Sequence, residues 1–234
     1  MNNTLTIVPI IGIPQVKPTD DFAIILIKTI KSSAIGLRAG DIICVASKVL
    51  SISENRFINL NSLKVSSEAA TLHKKLPNKD PRILQLILDQ ADNDESNLRV
   101  NGSWIGAKNH VGRLLTSAGI DKVNNDTVLL LPQQPDNSAR AIGEEIESAF
   151  DAKIGIIITD SDGREGIAGA TQICIGLYGV PPLRERFDSQ ETVCDMLAAA
   201  AGISMGQRGN NIPAVIIRGY QYDFNKNAHL RDAY

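Results

Sequence analysis

Apolar residues in this chain fall into short β-branched runs and longer stretches with helical spacing, and the two kinds are mixed without regular alternation. TLTIVPI (residues 4–10) predicts a first strand. PTDDFAIILIKTIKSS (18–33) predicts a helix, with Thr19 or Asp20 as its cap and acids in its first turn to suit the helix dipole. Apolar residues nearly encircle that helix, so it should be well buried. GDIICVASKVLSI (40–52) reads as a buried strand with a polar interruption at Ser47 and Lys48. SSEAATLHKKL (66–76) is helical and opens at Ser66 or Ser67. PRILQLILDQAD (81–92) is a second helix, started by Pro81.

Residues 91–126 alternate weakly between short β-like runs and Gly/Asn turns. TVLLLP (127–132) is a strand. DNSARAIGEEIESAF (136–150) is a helix capped by Asp136 or Asn137, with Ile142, Ile146 and Phe150 along one face. IGIIIT (154–159) and ATQICIGLYG (170–179) are strands on either side of a polar loop. SQETVCDMLAAAAGISMG (189–206) is a helix and IPAVIIRG (212–219) a last strand. The tail from Gln221 to the end is polar and expected to be loosely held. The fold class is therefore mixed α/β (α+β). Neither G-x-x-x-x-G-K-[ST] nor G-x-G-x-x-G after a first strand occurs, so a phosphate site must be built in another way.

Composition narrows the function classes. Across 234 residues, 43% are apolar and 21% charged, as in an ordinary globular protein. A net charge of −2 without Lys/Arg clusters, and 4% aromatics, argue against a nucleic-acid partner. Cys44, Cys174 and Cys194 sit in apolar company and read as buried reduced thiols, and the three histidines are scattered, with no zinc spacing. The N-terminus lacks a basic leader and no apolar run is long enough for a bilayer, so the expected location is the cytoplasm, away from membranes.

Four polar places break the apolar pattern. Ser47 and Lys48 follow a buried strand, where an ammonium can hold a phosphate or simply snorkel. Asp121 and Asn124 lie three apart, fitting either a cation and nucleotide contact or an Asx-turn. TDSDGR brings Asp160, Ser161 and Arg164. It has the composition of a solvated turn, but also that of a site for a hard cation and a phosphate. SMGQRGNNIP ends a helix at Gly206, then offers the Gln207 carboxamide and the backbone amides of residues 209–211. That is either a concave anion site or a plain C-cap and loop. All four are oxygen or cation sites, as magnesium and a triphosphate would require.

In this order the stretches GIPQVKPTDD, GDIICVASKVLS, SAGIDKVNN, LLLPQQPDNSAR, IIITDSDGR, TQICIGLYGVPPL and MGQRGNNIPAVIIRG resemble the coenzyme F-420-0:γ-glutamyl ligases. The likeness runs from about residue 7 to 218 and is weak over 57–98. It implies one ligase-like domain over residues 1–220, made of two interlocked subdomains with mixed sheets, and a homodimer with its site near the subunit interface. It also implies GTP as co-substrate, two Mg2+ or Mn2+ ions, and K+ as an accessory cation. By position, the implied metal ligands are Asp121, Asp160, Ser161 and Gln207, with Asp160 and Arg164 as catalytic groups. The implied nucleotide contacts are Gly12, Ile13, Pro14, Gln15, Ser47, Lys48, Asn124, Met205, Gly206, Arg208, Gly209, Asn210, Asn211 and Ile212. Ser161 stands where the family usually has Thr.

Other positions depart from the family pattern. Ile52 replaces a second lysine, Ser117 opens what is usually NAG, Glu165, Gly166 and Ile167 replace PWR, and Ala170, Thr171 and Gln172 replace Q-T-D. The expected function is a GTP- and metal-dependent ligase joining L-glutamate to the deazaflavin precursor F-420-0 through an acyl phosphate. The changed positions leave two alternatives: a paralogous ATP- or GTP-dependent amide ligase with another carboxylate acceptor, or a non-catalytic nucleotide- or metabolite-binding protein.

Overall fold

The computed structural model describes residues 4–206 and 210–234. β1 (Thr6–Pro9) is followed by α1 (Phe22–Ser32), and β2 (Ile42–Ala46) runs directly into α2 (Ser47–Ser53). The chain then leaves for a second unit: β3 (Phe57–Asn59), α3 (Ser67–Lys75), α4 (Pro81–Gln90), β4 (Leu98–Asn101), β5 (Trp104–Lys108), β6 (Leu114–Thr116), β7 (Asp121–Lys122) and β8 (Thr127–Leu129). It returns as α5 (Pro135–Phe150), β9 (Gly155–Gly163) and β10 (Ala170–Tyr178). The hairpin of β11 (Leu183–Arg186) and β12 (Ser189–Thr192) leads into α6 (Val193–Met205), and β13 (Ala214–Arg218) follows.

The spine is one five-stranded sheet in the order β1-β13-β2-β9-β10. β2 and β9 are parallel and the other pairs antiparallel, so the sheet is mixed. Its central strands are covered on both faces, which is why they read as unbroken β-branched runs. α1 and α5 bury Leu26, Ile30, Ile142 and Ile146 against Ile43, Val45, Ile156 and Ile158. α6 buries Val193, Leu197 and Ala201 on the other face, against Cys44, Ile157 and Val215. The second unit holds two antiparallel three-stranded sheets, β3-β8-β7 and β4-β5-β6. Its entry and exit are tied together: the Leu130 amide donates to the Arg56 carbonyl at 3.1 Å, and Arg56 Nε donates to the Leu131 carbonyl at 3.0 Å.

Several local expectations are corrected. Asp21, extended and directly before Phe22, caps α1 through the Ile24 amide, and no acid lies in that helix's first turn. Thr19 has a left-handed φ of 69°, and Asp20 instead accepts the Lys17 amide at 2.7 Å. Ser47 and Lys48 open a helix instead of interrupting a strand. Pro135 starts α5 one residue early, so Asp136 lies inside its first turn and accepts from the Leu177 and Leu230 amides. SQET forms β12, outside the helix. The tail is held: Ala228 and Leu230 are buried in the α6-side core, and the Asn225 amide donates to the Gly179 carbonyl at 2.9 Å.

Candidate functional site

β2 ends beside the middle of β9, with Ala46 opposite Thr159. β13 begins at the same rim, where Pro213 accepts the Ala46 amide at 2.8 Å, and β1 ends there, where Ala214 accepts the Ile10 amide at 3.0 Å. Ile10, Ala46, Ser47, Thr159, Asp160 and Pro213 therefore share one edge of the sheet. Crevices beyond the carboxyl ends of parallel strands are where open α/β sheets receive ligands.

At this rim Ser47 donates its hydroxyl to Asp160 Oδ1 at 2.8 Å. Ser51, Gly119, Asp121 and the Leu129, Leu130 and Leu131 run line the same crevice with them. Burial pushes the Asp160 carboxyl up to about 7, against the Ser47 hydrogen bond, and the negative charges of Asp121 and Asp162 add to the rise. Lys48 lies 2.8 Å from Asp121 in an exposed ion pair. A partly buried carboxylate beside a second one has more negative charge than its surroundings settle, which is the condition a bound cation relieves.

TDSDG is neither a turn nor a loop, because it continues β9 and pairs with β10. Neighbouring strand residues face opposite sides. Ile156 and Ile158 lie in the α1/α5 core and Ile157 in the α6 core, so Asp160 faces α2 while Ser161 faces α6. Their side chains thus leave the strand in opposite directions. Ser161 stands opposite Gln172, whose buried carboxamide oxygen has no hydrogen-bond partner among the described residues.

Asp121 reaches the crevice through a strained approach. Ser117, Ala118 and Gly119 take φ values of 51°, 57° and 73° in succession, costing on the order of 1 kcal/mol or more at each non-glycine residue. A Cβ on Gly119 would stand 2.6 Å from Leu131 Cδ1. The bend is held by Asn109 Nδ2, donating to the Ala118 carbonyl at 2.9 Å, and by Lys79 Nζ, donating to Ser117 Oγ at 3.0 Å. Asp162, absent from the sequence-based site, accepts the Thr116 amide at 2.8 Å and ties β9 to the second unit. Its sequence signal was the i, i+2 spacing from Asp160, which puts both carboxylates on one face.

The remaining candidates are placed unevenly. Gly12 turns the chain with φ 90°, Ile13 packs on the core, and Pro14 and Gln15 are exposed. The Asn124 carboxamide oxygen accepts the Asp126 amide at 2.9 Å, an Asx-turn. Burial raises the Asp162 pKa, and Arg164, exposed at the β9–β10 end, opposes that rise; among the described residues no hydrogen bond or ion pair joins Arg164 to Asp160. Met205 is buried, with its sulfur 4.0 Å from the Thr159 hydroxyl, so it supports the strand end from below. Gly206 has φ 68°, and a Cβ there would lie 2.4 Å from the Asn210 side chain. Asn210 and Asn211 are exposed and Ile212 is half-buried. Gln207, Arg208 and Gly209 lie outside the described residues.

Among the described residues no cluster of three or more His, Cys, Asp or Glu side chains is arranged to hold a metal. The donors at the rim are hard oxygens from two carboxylates and hydroxyls. They fit magnesium or manganese completed by phosphate and water oxygens, and do not fit a closed zinc site. The three cysteines are buried and free.

The profile of the family described as F420-0:Gamma-glutamyl ligase matches residues 10–219. The chain belongs to this family. It is 32% identical to the Coenzyme F420:L-glutamate ligase of Methanothermobacter thermautotrophicus, over 97% of this chain and 92% of that one. The same-named protein of Methanopyrus kandleri is 32% identical, over 95% of this chain and 90% of its own. That of Methanocaldococcus jannaschii is 34% identical, over 79% and 78%. Among the described residues, no helix of this family member is long and apolar enough to cross a membrane.

Proposed function

We propose that the protein is a ligase that forms an amide between L-glutamate and the deazaflavin precursor F420-0, driven by GTP. The observation that carries this reading is the rim itself: Asp160 with its raised pKa, hydrogen-bonded to Ser47, beside Asp121 and Lys48. Membership in a family whose relatives are named Coenzyme F420:L-glutamate ligase supports the substrates.

In this reading Lys48 offers a point charge to the triphosphate, and Arg164 a bidentate one. Residues 12–15, Ser47, Asn124 and residues 205–212 hold the nucleotide. Asp121, Asp160, Ser161 and Gln207 hold two divalent ions, with Asp160 and Ser161 serving opposite faces of β9. Magnesium or manganese held by these residues would supply positive charge to the phosphates. The acceptor carboxylate attacks the γ-phosphorus, giving an acyl phosphate and GDP. The deprotonated glutamate amine then attacks the acyl carbon and phosphate leaves, so the chain needs no covalent intermediate of its own. Ser47 fixes the Asp160 carboxylate, and apolar Leu129, Leu130 and Leu131 keep the crevice poor in water. The working form is a cytoplasmic homodimer.

The test is incubation with GTP, manganese, L-glutamate and F420-0, followed by mass analysis. GDP together with a product one glutamate heavier is the expected outcome, and the absence of both overturns the reading. A second reading, the same chemistry on another carboxylic acid, is favoured by the changed β9–β10 end, where Ile167 is exposed and Glu165 accepts from Asn101. Turnover with a different acceptor only would decide for it.

A further inference from the structure

A second pocket carries positive charge. It is a half-open depression lined by Lys75, Leu76, Pro77, Asn78 and Lys79 at the α3–α4 turn, together with Gly102 and Ser103 between β4 and β5, and holds about 160 Å³. That is the space of roughly five waters at ~30 Å³ each, enough for a carboxylate or phosphate group. Lys79 is half withdrawn from water, and burial alone pushes its pKa down. Its ammonium meets a neutral hydroxyl, Ser117 Oγ, at 3.0 Å. Among the described residues neither Lys75 nor Lys79 forms an ion pair. A sheltered cation without a counter-charge costs free energy that a bound anion returns.

The pocket adjoins the rim. Ser117 begins the left-handed bend whose other end, Gly119, lines the Asp160 crevice. Two residues of chain span at most ~7 Å, so Lys79 and that crevice flank one short bend. On its other side, Asn101 directly precedes Gly102 and donates to Glu165 at the changed end of the β9–β10 hairpin. The pocket is thus tied by Lys79 to the bend of the Asp160 crevice, and through Asn101 to the part of the chain that departs from its family.

We propose that this pocket is an oxyanion subsite, in which the Lys75 and Lys79 ammoniums hold a carboxylate or phosphate group of the acceptor molecule. The identity of that molecule rests on the ligase reading, whereas the existence of the subsite does not.

The experiment titrates the full chain with inorganic phosphate and, separately, with γ-glutamylglutamate at constant ionic strength, following thermal stability with GDP and manganese present. A saturable rise is expected with at least one anion at roughly millimolar concentration, weakened about tenfold or more in Lys79→Met and in Lys75→Met. The response of Lys75→Met to GDP with manganese should match wild type. Lys75 is exposed, so Lys75→Met keeps the test valid if Lys79→Met folds poorly. A stronger response to phosphate assigns the subsite to a phosphate group, and a stronger response to the dipeptide assigns it to carboxylates. Equal binding by wild type and both variants, or no response of wild type to either anion, overturns the proposal. Lysine-dependent anion binding in a protein that ignores GTP and GDP would keep the subsite and remove the ligase reading.

Discussion

Ser47 and Asp160, 113 residues apart in sequence, meet in a 2.8 Å hydrogen bond where β2 gives way to α2 beside β9. The bond holds a carboxyl that burial keeps protonated up to about 7, against an ordinary value of 3.8. The folded chain thus binds this proton more tightly than the unfolded chain. The protonated group's stabilisation is complete below about pH 4 and is lost as pH rises through about 7. Asp160→Asn keeps an acceptor for Ser47 and carries no charge. In metal-free solution it is expected to gain on the order of 2 kcal/mol over wild type at about pH 8, and little near pH 4, while losing turnover. Melting curves in chelator at both pH values check this, and a variant less stable than wild type at both would sink it.

The same proton governs metal affinity. A cation at Asp160 must displace it, so apparent manganese affinity should rise about tenfold per pH unit below pH ~7 and level off above. Calorimetric titrations across that range, in buffers of different ionisation enthalpy, would count the proton released. A flat profile would mean that the ion binds elsewhere.

Lys48 and Asp121 form a 2.8 Å pair with side chains 59% and 53% exposed. Solvent screens such a pair, so Lys48→Met should change stability by less than about 1 kcal/mol. Its effect belongs to GTP: loss of one charge-assisted contact to phosphate should lower kcat/KM for GTP about 10- to 100-fold. Unchanged GTP kinetics would remove Lys48 from the site.

Much of this was legible in the sequence, and the misses have physical causes. Ile42–Ala46, Ala214–Arg218 and the isoleucines of β9 are buried on both faces, so their β-branched runs stood out. ASKVLSIS fits both a strand and a short helix, and only packing of Leu50 into the core decides for the helix. TDSDG has turn composition, yet ladder pairing with β10 overrides it and sends Asp160 and Ser161 to opposite faces. That split cannot be read without knowing that the strand continues. Asp162 was hidden because its partner, the Thr116 amide, lies in the weakly patterned segment 91–126.

Arg113 joins three elements of the fold. Its guanidinium grips Asp195 with both carboxylate oxygens and also donates to the Cys174 carbonyl, while Asp195 accepts the Cys174 amide at 2.9 Å. Removing one partner leaves a sheltered charge, so Arg113→Met or Asp195→Asn should each cost roughly 2–4 kcal/mol. The double variant Arg113→Met/Asp195→Asn should lose less than the sum of the two. Denaturant unfolding measures this, and losses under about 1 kcal/mol from both single variants would contradict it.

The chemistry itself is tested most directly by oxygen tracing. F420-0 carrying 18O in its carboxylate is incubated with the protein, GTP, manganese and L-glutamate, and the released phosphate is weighed. Attack of that carboxylate on the γ-phosphorus requires one 18O in inorganic phosphate for every amide formed, with GDP as the nucleotide product. Amide formation with unlabelled phosphate, label in a nucleotide monophosphate, or no amide at all would contradict the account.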